Sequence, residues 1–328
     1  MRICIIGAGA IGGLLAARLA AAGERVTVVA RGDHLRAISA AGLRLITEEG
    51  EIHAPVDVAS DLASLEPHDL VVLAVKAHQL TPIAADVARL MQAGGLALTM
   101  QNGIPWWYFH KHGGPHEGRS LKSVDPGGVI AQHLPVDQVI GSVVYPAAEI
   151  AEPGVIRLIE GNRFSLAELD NSASPRIQEV SRVFTAAGFK APVVSDIRAE
   201  IWTKLWGNMS FNPISALTGA TLAGICTHPQ GRALAADMMR EAQAVGEKLG
   251  IRFRIPLAKR IAGAEAVGEH KTSMLQDVEA GRPTEVDALV GSILELGAVA
   301  EVATPAIGAV YACMRLLDDT RARARMEN

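Results

Sequence analysis

Arg2-Ile-Cys-Ile-Ile6 runs straight into Gly7-Ala8-Gly9-Ala10-Ile11-Gly12-Gly13 and then into an alanine-rich stretch from Leu14 to Ala22. No other stretch limits the fold so tightly. A short continuous apolar run marks a strand buried on both faces of a parallel sheet. The spacing G-x-G-x-x-G between such a strand and a helix builds a turn that accepts a pyrophosphate. Gly7 permits the tight turn, Gly9 lets the backbone approach the ligand, and Gly12 lets the helix pack close to the strand. The anion then lies over the helix N-terminus, which makes Ala8, Ala10 and Ile11 cofactor contacts too. Gly23 ends the helix, and Arg25 to Ala30 is the second strand. An NAD enzyme places an acid at the end of that strand against the ribose 2′-hydroxyl. Here the residue is Arg31, whose guanidinium suits a 2′-phosphate, so NADP(H) is the expected cofactor. Asp33 is the residue that could compete with it, and His34 and Arg36 read as surface residues.

The rest of the first half keeps strand character. Gly42 to Thr47 and Glu51 to Val58 read as a hairpin, and His68 to Val75 as another buried strand ending at Lys76. Gly95 to Met100 is a strand ending at Gln101-Asn102-Gly103. Ligands of open α/β sheets bind at the carboxyl ends of the strands, so Lys76 and Asn102 are site candidates. An exposed strand-end lysine and an ordinary Asn-Gly turn are the plain alternatives. Trp106 to Gln138 is irregular and carries His110, His112 and His116. Its histidines lack ligand spacing on a helix or strand, so no metal is expected, and the segment reads as a surface excursion with its aromatics at the site mouth or against a partner. Strands resume at Val139 to Glu149, Gly154 to Glu160 and Arg163 to Glu168. A helix from Ser174 to Ala187 and a short strand from Ala191 to Val194 follow.

Beyond Asp196 only helical periodicity remains: Ile197 to Leu217, Pro229 to Leu249, Pro256 to Val267, Pro283 to Leu296 and Thr304 to Asp319. The expected architecture is α/β: a Rossmann-type dinucleotide-binding domain over residues 1–195, followed by an all-α domain over 196–328. In the first of these helices Lys204, Asn208 and Asn212 recur at four-residue steps, each turning by only about 40°, so they form one polar ladder. Ile201, Trp202, Leu205, Trp206, Met209 and Phe211 surround it, so the helix is buried. A buried lysine needs a partner or loses basicity, and it then serves as an acid or base. A Glu200–Lys204 pair with two structural asparagines is the plain alternative. Pro213 cannot donate to the Met209 carbonyl, so a kink or break is expected beside Asn212. Downstream, Ser273-Met-Leu-Gln-Asp277 shows no clear face, and Thr284-x-x-Asp287 resembles a capping box opening a helix at Pro283.

Length and composition exclude more than they select. The 328 residues suffice for two domains, and a net charge of −4 gives no electrostatic case for nucleic acid or an anionic membrane surface. No membrane-spanning run and no leader pattern occur, so the expected setting is cytoplasmic. Cys4, Cys226 and Cys313 lie far apart in apolar contexts and read as reduced core thiols. The long apolar helices of the second half leave room for a homodimer.

GAGAIGG at residue 7, Lys76 in VKAHQ, Asn102 in QNG, the ladder W-x-K-x-x-x-N-x-x-x-N, and SMLQD followed by GRPTEVD occur in order along nearly the whole chain. Together they resemble the ketopantoate reductases (2-dehydropantoate 2-reductases). The glycine motif is generic, whereas the ladder with SMLQD and GRPTE is specific to this family and its close relatives. The resemblance implies NADPH-dependent reduction of the C2 ketone of ketopantoate, a small 2-oxo acid, to (R)-pantoate in pantothenate and coenzyme A biosynthesis. It implies that Gly7, Gly9 and Gly12 form the dinucleotide loop, that Arg31 meets the 2′-phosphate, and that Lys76 lies at the cofactor–substrate junction. Asn102 would stand at the nicotinamide and reacting centre, Lys204 would be the general acid, and Glu285 would interact with the substrate and tune the site. Asn208, Asn212 and Ser273 would hold the substrate hydroxyl and carboxylate. Trp106 to Gln138 is longer than in compact members. A reductase of a different 2-oxo acid on the same scaffold is the alternative. A non-catalytic NADP(H)-binding regulator is a second one, which the intact Lys204 and Glu285 disfavour.

Overall fold

The computed structural model describes residues 1–91 and 94–326. By backbone packing the chain separates into two compact units. The first comprises Met1–Gln101, Trp106–Ser120 and Asp125–Ile197; the second comprises Asn102–Pro105, Leu121–Val124 and the chain from Arg198 onward.

In the first unit the elements run β1 (Arg2–Ile6), α1 (Ala10–Ala21), β2 (Arg25–Val29), α2 (Gly32–Ala41), β3 (Leu43–Thr47), β4 (Gly50–Ala54), β5 (Asp57–Ala59) and β6 (Leu70–Leu73). They continue with α3 (Ala84–Leu90), β7 (Leu96–Thr99), α4 (Val129–His133), β8 (Val139–Val144), β9 (Ala147–Glu152), β10 (Val155–Glu160), β11 (Phe164–Glu168) and α5 (Pro175–Ala186). Seven strands form one sheet in the order β11-β8-β7-β6-β1-β2-β5. All its pairs are parallel except the edge pair β11–β8. The continuous apolar runs of β6, β7 and β8 are buried along their whole length, as two-sided cover requires. A second sheet, in the order β4-β3-β10-β9, packs against α1 on the side away from β1 and β2. Helix α1 is therefore covered all round, which is why Leu14, Leu15, Ala16, Ala17 and Leu19 are all buried and why small residues dominate it.

Proline redirects the chain where the sequence pattern alone reads a single strand. The expected strand from Glu51 to Val58 is divided at Pro55: β4 joins the second sheet and β5 joins the first. The expected strand from Val139 to Glu149 is divided at Pro146 in the same way, into β8 and β9. Ala191 to Val194, which contains Pro192, pairs through isolated bridges rather than as a strand. In each case the missing N–H ends ladder pairing.

The aromatics of Trp106-Trp-Tyr-Phe109 are not a surface feature. All four are buried, and the Trp107 indole N–H donates to Thr99 Oγ1 at 3.0 Å while its ring fills the space beside Gly141. Their apolar area is large enough to draw an irregular segment into the core. His34 is likewise not a free surface residue: it is half-buried, and its Nδ1 accepts from Gly154 N–H at 2.9 Å.

The second unit is helical: α6 (Ile197–Thr218), α7 (Leu222–Thr227), α8 (Pro229–Lys248), α9 (Leu257–Ala266), α10 (Ser273–Glu279), a π-helical turn (Asp287–Gly291), α11 (Ser292–Ala300) and α12 (Pro305–Met326). Four details differ from expectation. Helix α6 runs unbroken through Pro213, so the proline removes one donor without ending the helix. Ser273 to Glu279, which showed no clear face, is a helix because the Thr272 hydroxyl caps it by accepting from Leu275 N–H. Pro283 does not open a regular helix, and Thr284 and Asp287 form no capping box. The Thr284 hydroxyl donates to Asp318, while Asp287 accepts from Tyr311 and Arg315 of α12. Cys4 and Cys226 are buried, but Cys313 is exposed.

Candidate active site

The first unit presents the glycine loop between β1 and α1. Gly7 takes a φ of +101°, and its N–H and that of Ala8 each donate to the Val29 carbonyl at 3.2 Å. A Cβ on Gly12 would lie 2.0 Å from the Gly7 carbonyl oxygen, so only glycine lets α1 start this close to the loop. Gly9, at the N-cap of α1, behaves differently: a Cβ there would meet nothing within 4 Å. The loop is thus tight beneath and open at Gly9, above a helix N-terminus whose first N–H groups have no side-chain cap. That arrangement fits a diphosphate, with Ala8, Ala10 and Ile11 beside it. Arg31 is exposed and serves as the N-cap residue of α2, two residues past β2. Asp33, its competitor in sequence, is ion-paired with Arg36. Lys76 lies three residues past β6, half-buried, with its backbone N–H donating to Gln79 Oε1 at 3.0 Å.

In the second unit Lys204, Asn208 and Asn212 follow one another along α6. Lys204 and Asn208 are half-buried, and Asn212 is buried. The Lys204 ammonium donates to Asn102 Oδ1 at 2.6 Å. Burial lowers the Lys204 pKa to about 8, and the Glu285 carboxylate opposes that shift. A lysine tuned in this way stays protonated near neutrality yet releases its proton far more readily than an exposed one. Asn102, Lys204 and Glu285 are therefore brought together from three distant parts of the chain. Ser273, the first residue of α10, is exposed, and no hydrogen bond among the described residues joins it to the ladder.

Some contributors were not visible in the sequence. The Asn-Gly pair at 102–103 reads as a generic turn, yet Gly103 packs on the Ala288 carbonyl and Ile104 N–H donates to the same oxygen at 3.1 Å. Gly207 in α6 lies directly against the Arg260 guanidinium of α9, where a Cβ would come within 2.1 Å of Nη2. A glycine inside a buried helix is the one sequence signal for such an approach. Among the described residues no cluster of three or more His, Cys, Asp or Glu is arranged to hold a metal.

The family models described as Ketopantoate reductase PanE/ApbA and Ketopantoate reductase PanE/ApbA C terminal match residues 3–111 and 196–318. This chain belongs to the ketopantoate reductase family. A 2-dehydropantoate 2-reductase of Mesorhizobium japonicum is 56% identical over 318 residues, spanning 97% of this chain and 98% of the relative. A candidate ketopantoate reductase from Ralstonia solanacearum, solved by crystallography, superposes with a TM-score of 0.92 at 43% identity over 98% of both chains. A D-mandelate dehydrogenase solved with NADH and anilino(oxo)acetate covers 98% of this chain with a TM-score of 0.83. At 22% identity that likeness is one of fold. The mixed α/β character and the helical second half match what the sequence led us to expect.

Proposed function

We propose that this protein is a 2-dehydropantoate 2-reductase that reduces the C2 ketone of ketopantoate to (R)-pantoate with NADPH, in pantothenate and coenzyme A biosynthesis. The observation that carries the reading is the Lys204 ammonium, bonded to Asn102 at 2.6 Å under the influence of Glu285, in a chain of this family. When bound, the reduced nicotinamide supplies the hydride. Residues 1–195 hold the dinucleotide through Gly7 to Gly12, with Lys76 at its reactive end, and the exposed Arg31 favours the 2′-phosphate form because Asp33 is already engaged by Arg36. Residues 196–328 supply the substrate contacts and the proton. Asn208, Asn212 and Ser273 donate to the substrate carboxylate and hydroxyl. Lys204 Nζ stabilises the charge that develops on the ketone oxygen and transfers its proton there. Asn102 Oδ1 fixes the direction of the Nζ–H bonds, and Glu285 keeps the amine charged until transfer. We place the enzyme in the cytoplasm; no helix among the described residues is long and apolar enough to cross a membrane.

The test follows absorbance of NADPH, and of NADH in parallel, with ketopantoate and with a panel of other 2-oxo acids. Ketopantoate should give the highest kcat/KM, and NADPH should outperform NADH. Faster turnover of another 2-oxo acid would reassign the substrate while keeping the chemistry.

A further inference from the structure

Two of the groups that act on Lys204, Asn102 and Glu285, are linked to one short stretch of backbone. Glu285 stands two residues before the π-helical turn Asp287–Gly291. Asn102 stands one residue before Gly103, which is seated on that same turn. Ile104 N–H donates to the Ala288 carbonyl at 3.1 Å, and a Cβ on Gly103 would lie 2.2 Å from the same oxygen. Gly103 also has a φ of +89°, so both its conformation and the close approach demand glycine. The turn is held in its turn by α12: Asp287 accepts from the Tyr311 hydroxyl at 2.7 Å and from Arg315 Nη1 at 2.8 Å. The Tyr311 ring lies over Gly291, 3.0 Å from where a Cβ would sit. Burial and the neighbouring Asp287 raise the Tyr311 pKa to about 12, so this phenol remains a donor at any assay pH. Single π turns inside helices are uncommon and concentrate at functional sites.

We propose that the Asp287–Gly291 turn, clamped by Tyr311 and Arg315 and capped by Gly103, is the positioning element that sets Asn102 and Glu285 against Lys204. Asp287, Tyr311 and Gly103 are then positioning residues for proton transfer, although none touches the proton donor. This rests on Lys204 being the donor in ketone reduction. Glu285 comes from the segment before the turn, Glu200 stands one turn earlier on α6, and Arg260 of α9 lies against Gly207. Of these, only Glu285 is carried by the clamped segment.

The experiment compares the full-length wild type with Gly103→Ala, Asp287→Asn and Tyr311→Phe. Turnover of ketopantoate is measured across pH. In parallel, the Lys204 pKa is read without turnover, from the pH dependence of its acetylation by acetic anhydride quantified by peptide mass spectrometry. In Gly103→Ala the contact must open by about 1 Å, and a displacement of that size lowers kcat on the order of 10–100-fold. The alkaline limb of kcat and the Lys204 labelling pKa should both move down, because the carboxylate that opposes desolvation has moved away. Asp287→Asn and Tyr311→Phe should shift both in the same direction by less. If Gly103→Ala does not fold, these two decide. Variants that lose thermal stability while the labelling pKa stays at its wild-type value would reduce the turn to a structural role and overturn the proposal. A wild type inactive on ketopantoate would refute the functional reading instead, and the labelling pKa would still decide the positioning claim.

Discussion

Replacing Glu285 by glutamine removes one charge and little volume, so it isolates what that charge does for Lys204. In the wild type, burial alone would take the lysine well below its ordinary range, and Glu285 holds it at about 8. A neighbouring opposite charge is typically worth about 1–3 pH units, so the variant lysine should titrate near about 6. The sign follows from the chemistry. With Lys204 as the proposed proton donor, reduction draws on the ammonium, so activity should lie on the acid side of this pKa and be lost as pH rises through it. At pH 7 the wild-type amine is about 90% protonated and that of Glu285→Gln about 10%, a loss of about tenfold in kcat from protonation alone. Lowering the pH through about 6 should restore most of it, a recovery that a damaged site cannot show. The assay is steady-state kcat with saturating NADPH and ketopantoate from about pH 5 to about pH 9. An alkaline limb that stays near the wild-type position while kcat falls equally at every pH would show that Glu285 does not set the charge state of Lys204. It would leave Glu285 as a contact to substrate rather than a regulator of the lysine.

Lys204→Ala should lower kcat by about 10²–10⁴-fold while NADPH binding, followed by nucleotide fluorescence, stays near wild type. Near-normal turnover would remove Lys204 from the mechanism. Arg31→Ala should weaken NADPH by about 10–100-fold and leave NADH almost unaffected, since a charged hydrogen bond to phosphate is lost. An unchanged NADPH/NADH ratio of kcat/KM counts against Arg31. In the first unit, Glu168 is buried yet meets Arg176 Nε and Nη2 at 2.6 and 2.5 Å. Burial works against its ionisation, but hydrogen bonds from Arg176 and Ser174 prevail and hold its pKa below the usual range. Glu168→Ala should therefore cost about 3 kcal/mol in urea unfolding near neutral pH. Because the folded pKa is depressed, this stabilisation exists above the unfolded-state value of 4.5 and fades as pH falls through the folded one, so the two proteins should converge in acid.

Features that depend on residues a few positions apart were readable from the chain. The glycine loop is legible because the tight turn at Gly7, the open backbone at Gly9 and the close helix contact at Gly12 all lie within six residues. The Lys204–Asn208–Asn212 ladder is legible because one helical turn relates its members. Features requiring a choice between distant partners were not. Pro55 and Pro146 each end a strand, but nothing local states that the chain then changes sheets. The aromatics at Trp106–Phe109 could as well have faced a partner; the space beside Gly141 and the Thr99 hydroxyl drew them inward. The acids at Glu285 and Asp287 satisfied a capping pattern, and tertiary bonds from Tyr311 and Arg315 overrode it.

The order of residues alone implies that a glycine turn joins the first strand to a helix and that a lysine and two amides line one side of a buried helix. Both follow from short-range stereochemistry and the period of the helix. Only the tertiary structure decided what the lysine faces. Asn102, 102 residues earlier, reaches Lys204 because the chain after β7 packs with the helical unit, on the Ala288 carbonyl. The basicity of a lysine depends on what surrounds its ammonium, and no spacing along the chain encodes that.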